Sequence, residues 1–552
     1  MLRDLQADQV MLREVLRLAQ ANDFGNAGAI ARNALASGFE HPLLLNVQAT
    51  CLEQEGRFKE ALQLLERAVA LAPDDIPTRN ALALCLQRLN RPAEALQHTD
   101  YLLKRHPELG FVHANRGNAL IALGQLSRAW ASHLRALELE PDSIAALAAL
   151  ASIASHRGSH EEARSWAQQA LAIVPRFTDA MIIVATADLA AGELDRSESL
   201  LRELLADPRV SAVGKARANG LLGDVLDKRG QYTEAFAAYV ERNEALRRIH
   251  DGFSKSTRLV TYASELVTTI SNTTAVRYRR ADSSDSGAGV AGHVFLLGFP
   301  RSGTTLLEVV LEGHPQVVSL DEHELLIEAI GRFMGNARDL TALERAGENE
   351  LQVLRQAYWK RVREAEVEVS GKVFVDKYPM NTLKLPLIAR LFPSAQILFA
   401  CRDPREVALA CFRRRFRMNA ATYELLTLES LAALYEATMR LADSMRPAFG
   451  VDWHTVRYES LMADFDGQMH VICDFLRLEW VAGMDDFATR AQQRERSTPS
   501  TAQLARGLDR STAVHWTHYR AALAPILPIL GKWVERFGYP AEVAGGPPGR
   551  PE

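Results

Sequence analysis

The sequence predicts an α-helical repeat array followed by an α/β domain with a central parallel sheet. Two observations carry this. In the first half three columns recur every 34 residues: Gly56, Asn90, Gly124, Gly158 and Gly192; Ala61, Ala95, Ala129 and Ala163; Pro73, Pro107, Pro141 and Pro175. Three columns in one register mean a repeated structural unit. In the second half short β-rich runs, at 294–298, 372–376, 396–401 and 453–456, alternate with helical stretches. That alternation implies crossover connections and therefore parallel strands.

Each repeat column has a physical reason. Gly and Asn tolerate the left-handed conformation that ends a first helix. Ala lets two helices approach closely, and Pro stops the second helix before the next unit. Between them apolar residues stand at helical spacing, as in Ala61, Leu64, Leu65 and Ala68. Five units are clear from about 42 to 211. A weaker one precedes them, marked by Asn22 and Ala27, and another follows after a four-residue slip, marked by Gly230 and Ala235.

Composition narrows the classes. The 552 residues carry 64 Lys+Arg against 68 Asp+Glu, a formal charge of −4. This ordinary globular balance excludes a collagen, a disordered chain and a dedicated nucleic-acid binder. The five cysteines show no C-x-x-C spacing and no zinc pattern, so a reducing compartment and no metal are expected. No apolar leader follows the charged N-terminus, and the most apolar stretch, 181–191, is broken by Asp188. A soluble cytoplasmic protein without a membrane span is the expectation.

The repeat is similar to the tetratricopeptide repeat, which implies a superhelix with a concave groove able to dock a peptide or protein. A spacer or dimerisation arm is the competing reading. The expected organisation is a repeat superhelix of about six to seven units at 1–250, a helical connector and small polar linker at 251–291, an α/β domain at 292–540 and a disordered tail at 541–552.

The densest chemical signal is the run Val294-Phe-Leu-Leu-Gly-Phe-Pro-Arg-Ser-Gly-Thr-Thr-Leu-Leu-Glu308. A buried strand enters a Gly-containing turn that opens a helix, which aims backbone N–H groups at an anion. Arg301 adds charge, and Ser302, Thr304 and Thr305 add hydroxyls. Gly298 and Gly303 fit the nucleoside-triphosphatase loop, but Thr304 occupies its lysine slot, which disfavours ATP phosphoryl transfer.

This P-loop-like segment resembles the 5′-phosphosulfate loop of sulfotransferases, and most of all that of the tyrosylprotein sulfotransferases and of bacterial repeat-fused sulfotransferases. The resemblance implies 3′-phosphoadenosine-5′-phosphosulfate (PAPS) as the sulfuryl donor, with Arg301, Ser302, Gly303, Thr304 and Thr305 on its 5′ end. It assigns Arg402, in Cys401-Arg-Asp-Pro-Arg405, to the 3′-phosphate. Ala410 stands where the family often has a hydroxyl, and Arg405 is an alternative ion-pair former within the fold. The cluster Arg413, Arg414, Arg415 and Arg417 reads as a solvated helix face.

The same resemblance supplies the remaining roles. A carboxylate after the loop helix takes the acceptor proton; Glu322 is preferred, with Asp321 one residue away and His323 an outside candidate. Lys377, directly after a β run, and Ser500, in a Ser-Thr-x-Gln pattern with Thr501 and Gln503, stabilise the leaving oxygen. Tyr458 and Arg506 lie near the nucleotide, with Tyr458 as ordinary core the alternative. The implied activity is transfer of a sulfuryl group to an acceptor hydroxyl, on a protein tyrosine or a glycan, with the repeats docking substrate or partner. The alternative is a repeat adaptor with a non-catalytic nucleotide-binding domain. Oligomeric state is not legible.

Overall fold

The Gly/Asn column marks the turns of the first half. Asn22, Gly56, Asn90, Gly124, Gly158, Gly192 and Gly230 all have φ between 59° and 83°. The computed structural model describes residues 5–255, 259–271, 278, 289–493 and 510–541. The predicted sites Ser500 and Arg506, with Thr501 and Gln503, lie outside the described residues, as do most of the expected linker and tail.

Contacts divide the chain into two compact units, 1–191 and 192–552. The first is a run of helices from Leu5–Gln20 to Thr178–Ala191, paired across short turns. Ala61, Ala95, Ala129 and Ala163 are buried where paired helices meet. Asp75 closes one helix start by accepting from the Thr78 N–H at 3.0 Å.

The second unit begins with further helices of the repeat series, Leu194–Ala206, Ala212–Lys228 and Tyr232–Ile249. It continues into a sheet of five parallel strands: β1 Gly292–Leu297, β2 Val317–Asp321, β3 Val373–Lys377, β4 Gln396–Cys401 and β5 Trp453–Arg457. Their order is β2-β3-β1-β4-β5. The predicted runs become β1, β3, β4 and β5. β2 is the added edge strand, with the sequence Val-Val-Ser-Leu-Asp.

Both faces of the sheet are covered, as parallel strands require. On one face Val294, Leu296, Val375 and Leu398 pack against the helices Thr304–Leu311 and Phe465–Leu476. On the other, Phe295 and Phe374 meet Tyr358, Trp359 and Phe392. A buried polar chain crosses this second face. His293 Nε2 lies 2.9 Å from the Tyr358 hydroxyl, which donates to Asp376 Oδ2 at 2.9 Å. Burial pushes the Asp376 carboxyl up to about 7, offset in part by the Tyr358 hydrogen bond.

The strand order places a topological switch beside β1. The chain leaves β1 towards β2 on one side and, after β3, crosses to β4 on the other. Segments leaving β1 and β4 therefore flank a crevice at the carboxyl ends of the strands, where open α/β sheets take their ligands. Among the described residues, no helix is long and apolar enough to cross a membrane.

A carboxyl whose pKa is raised in the folded state weighs against folding once it ionises. Wild-type stability relative to Asp376→Asn should therefore fall as pH rises from about 4 towards about 7 and level off above. Urea titrations of both proteins across that range read the difference directly.

Candidate functional site

The loop after β1 is held from below and closed from the side. The Gly298 N–H donates to Thr382 Oγ1 at 3.1 Å, and the same hydroxyl donates to the Gly298 carbonyl at 2.7 Å. Ser302 Oγ donates to the Phe299 carbonyl at 2.7 Å, so this predicted ligand hydroxyl also braces the turn. Gly303 has φ 103°, and a Cβ there would stand 2.8 Å from Tyr458 Cδ2. Only glycine fits both the conformation and the contact. The helix Thr304–Leu311 starts directly after it, with Thr304 and Thr305 buried in its first turn. Its leading N–H groups have no intrahelical carbonyl partners and suit an anion.

Arg301 is one of six described non-glycine residues with positive φ, at 71°. It meets Arg402, which leaves the end of β4, at the wall of a small cavity. Burial and then the Arg414 charge pull the Arg301 guanidinium down to about 10; Cys411 opposes this, and Arg402 adds a smaller push in the same direction. Arg402 also lies over the Tyr458 ring, 4.6 Å from its centroid. Tyr458 thus touches both Gly303 and Arg402, so the structure joins the loop after β1 to the end of β4 through one aromatic ring.

Arg405 forms an ion pair with Asp403 at 2.7 Å and donates to the Pro540 and Ala541 carbonyls, each at 2.9 Å. That is the structural alternative foreseen for it. The arginine cluster divides. Arg415 and Arg417 are exposed, as a solvated face would be, whereas Arg413 is mostly buried and Arg414 lines the cavity. Helical position decides this: Arg413 is the last residue of Pro404–Arg413, packed under another element, and the chain turns outward after it.

The second cluster stands at the ends of β2 and β3. Asp321 and Lys377 are register partners in the parallel pair. The fully buried Lys377 Nζ is shared by Asp321, by Glu322 Oε1 at 3.2 Å and by Glu308 Oε2 at 3.4 Å. Burial by itself would lower the ammonium's pKa. The three carboxylates outweigh it, and the group is held above the usual lysine range.

The two carboxylate candidates differ in setting. The Asp321 side chain is 17% exposed and that of Glu322 48%, so Glu322 has the freer face. Glu322 is held at φ 48° with its N–H donating to the Lys377 carbonyl at 2.8 Å. Such strained backbone recurs where a side chain must be aimed. His323 Nδ1 lies 2.8 Å from the Asp321 carbonyl and reads as a support of that turn.

Glu308 was missed at the sequence level. Its signal was present: one acid among Leu306, Leu307, Val309, Val310 and Leu311 must find a buried partner. Ser319 Oγ donates to Glu308 Oε1 at 2.9 Å and completes its surroundings.

The parallel α/β domain thus carries a glycine-containing loop at its switch point and an acid–lysine cluster beside it. Residues 293–482 match the sulfotransferase family. Residues 52–110, and also 12–76, 114–176 and 185–244, match tetratricopeptide-repeat families. The chain thus joins tetratricopeptide repeats to a domain of the sulfotransferase family. A protein of undescribed activity from Aquifex aeolicus is 24% identical over 73% of this chain and 52% of its own length. Protein-tyrosine sulfotransferase 2 of Gallus gallus is 25% identical over 34% of this chain and 51% of its own. The chain spans about half the length of these relatives. The solved sulfotransferase domain of the Synechococcus PCC 7002 olefin synthase is 21% identical with a TM-score of 0.34, over 46% of this chain and 97% of that one.

Removing the shared cation strands the buried Glu308 carboxylate and leaves Asp321 without its partner. Lys377→Met should lower stability by about 3–5 kcal/mol, the usual scale for breaking a buried pair from one side. Chemical denaturation measures it, and Glu308→Gln in the same chain should restore part of the loss.

Proposed function

We propose that the protein is a PAPS-dependent sulfotransferase acting on an acceptor hydroxyl. The observation that carries this is the placement of two chemistries on one sheet edge. An anion loop follows β1, and a carboxylate–lysine cluster closes β2 and β3 at the same carboxyl end.

The site's chemistry suits the donor's charge. Arg301, Arg402 and the first-turn N–H groups of Thr304–Leu311 form a donor set for phosphate oxygens, and Tyr458 offers a ring face between them. In this reading Arg301, Ser302, Gly303, Thr304 and Thr305 hold the 5′ end and Arg402 the 3′-phosphate, with Arg506 beside the nucleotide. When bound, the donor supplies an electrophilic sulfuryl group that passes to the acceptor oxygen as the bridging S–O bond breaks. Glu322 takes the acceptor's proton, for which its exposed carboxylate is suited. Lys377 places fixed positive charge where the leaving oxygen gains negative charge, and Ser500 adds a hydroxyl donor there. Every charge in this scheme is met by side chains and backbone, without a metal.

A tyrosine in a peptide is the favoured acceptor, because the named relatives are protein-tyrosine sulfotransferases and the repeat region suits peptide docking. A glycan hydroxyl is the other. The five free cysteines suit a reducing, cytoplasmic setting.

Calorimetric titration with 3′,5′-bisphosphoadenosine, ATP and 5′-AMP tests the donor reading. The bisphosphate should bind best, and Arg402→Ala should weaken it by at least about tenfold, as loss of a charge-assisted contact does. Preference for ATP would overturn the assignment. Glu322→Gln should abolish turnover on tyrosine-peptide or glycan panels while leaving bisphosphate affinity unchanged; retained turnover would move the base to Asp321 or elsewhere.

A further inference from the structure

The helix Pro404–Arg413 carries the rear wall of the small cavity, and its carboxyl end is held by the repeat series. The last carbonyls of a helix have no intrahelical donors. Here Tyr232–Ile249 provides them. Arg242 donates to the Arg413 carbonyl at 2.5 Å and to the Phe412 carbonyl, and Asn243 Nδ2 donates to the latter at 3.2 Å. The rings of Phe236 and Phe412 stack beside them at 5.1 Å. Arg242 is buried, and that burial pulls its guanidinium down to about 10. All of these residues lie within the second compact unit.

One carboxylate organises the side chains of this junction. Asp227, at the end of the helix Ala212–Lys228, pairs with Arg413 at 2.6 Å. Its other oxygen lies 2.9 Å from His515 Nε2 and accepts from the Tyr519 hydroxyl. Burial would raise the Asp227 carboxyl; His515, Arg413 and Tyr519 reverse this and hold it at about 2, so it keeps its charge.

Arg413 and His515 then line a cavity of about 80 Å³ with Arg301, Arg402, Arg414 and Ala410. The concentration of guanidinium groups on its wall suits a compact anionic group. Among the described residues Glu406 is the one acid on the wall. It accepts from the Trp516 N–H at 2.7 Å and stands 4.0 Å from Arg402, so the cations outnumber it. Ala410 adds no hydroxyl to this wall, and the cations stand around it.

We infer that Asp227 is a positioning residue for a phosphomonoester subsite, holding Arg413 and His515 in its wall, so that the last repeat helices complete the donor site. The ligand class is a nucleotide with a phosphate on its ribose, and the inference rests on the donor reading above. The repeat series is then part of the binding apparatus as well as a docking region.

The test compares 3′,5′-bisphosphoadenosine with 5′-AMP on the full chain by calorimetry. Wild type should favour the bisphosphate. Asp227→Asn should weaken the bisphosphate by about tenfold, the usual scale for one charge-assisted contact, with 5′-AMP affinity unchanged. Asp227→Glu should restore most of the difference. Arg413→Lys, which keeps the cation but not the guanidinium contact with Asp227, gives a second reading of the same increment. If either variant keeps the wild-type ratio of the two affinities, or loses both ligands in parallel, the positioning role is overturned. If wild type itself shows no preference for the bisphosphate, the donor reading fails, and this inference with it.

Discussion

The buried ammonium of Lys377 is the interaction on which the rest of the site depends. It closes β3, faces Asp321 at the end of β2 and reaches Glu308 on the helix that follows the anion loop. A helix and the strand that follows it are thereby tied to a third element more than fifty residues further on, at one charge. An acid buried alone in an apolar helix would be costly, and a lysine buried alone would shed its proton. Together they allow an ionised cluster at the carboxyl end of strands that are mostly Val, Leu and Phe. Glu322, next along the chain, inherits its strained backbone from this arrangement, because its N–H is bound to the Lys377 carbonyl.

The loop after β1 shows the complementary device. Its own hydroxyl braces the turn, Thr382 clasps Gly298 from the segment after β3, and Tyr458 closes on Gly303 from the end of β5. The chain therefore spends side chains from three strand ends on holding a few backbone N–H groups in place. Rigid, pre-aimed donors lose little order when an anion arrives, which is how such loops bind phosphate with neutral groups. Arg301 and Arg402 add charge from the two sides of the switch point, and their mutual repulsion is part of what an anion would relieve.

The repeat helices nearest the α/β domain belong to its compact unit and supply the cap of a helix that borders the cavity. A 34-residue repeat usually buries its faces against its own neighbours. Here the last pair turns Phe236, Arg242 and Asp227 to a different partner. The four-residue slip that sets this pair out of register with the others coincides with that change of partner, and its helices are longer, Ala212–Lys228 and Tyr232–Ile249.

Much of the molecule was legible in the sequence because its signals are local. A positive-φ turn needs Gly or Asn within a few residues, so the columns through Gly56, Asn90 and Gly124 announce the helices wherever they end up. The strand-to-loop-to-helix run around Gly298 and Gly303 likewise carries its conformation in its own residues. The order β2-β3-β1-β4-β5, the partners of Lys377 and the division of the arginine cluster were decided by tertiary structure. Nothing near Glu308, Arg413 or Asp227 names a partner, because each is paired with a residue at least several dozen positions away. Local chemistry determined which elements form and which charges must be buried; only the packing of distant elements decided which of those charges meet.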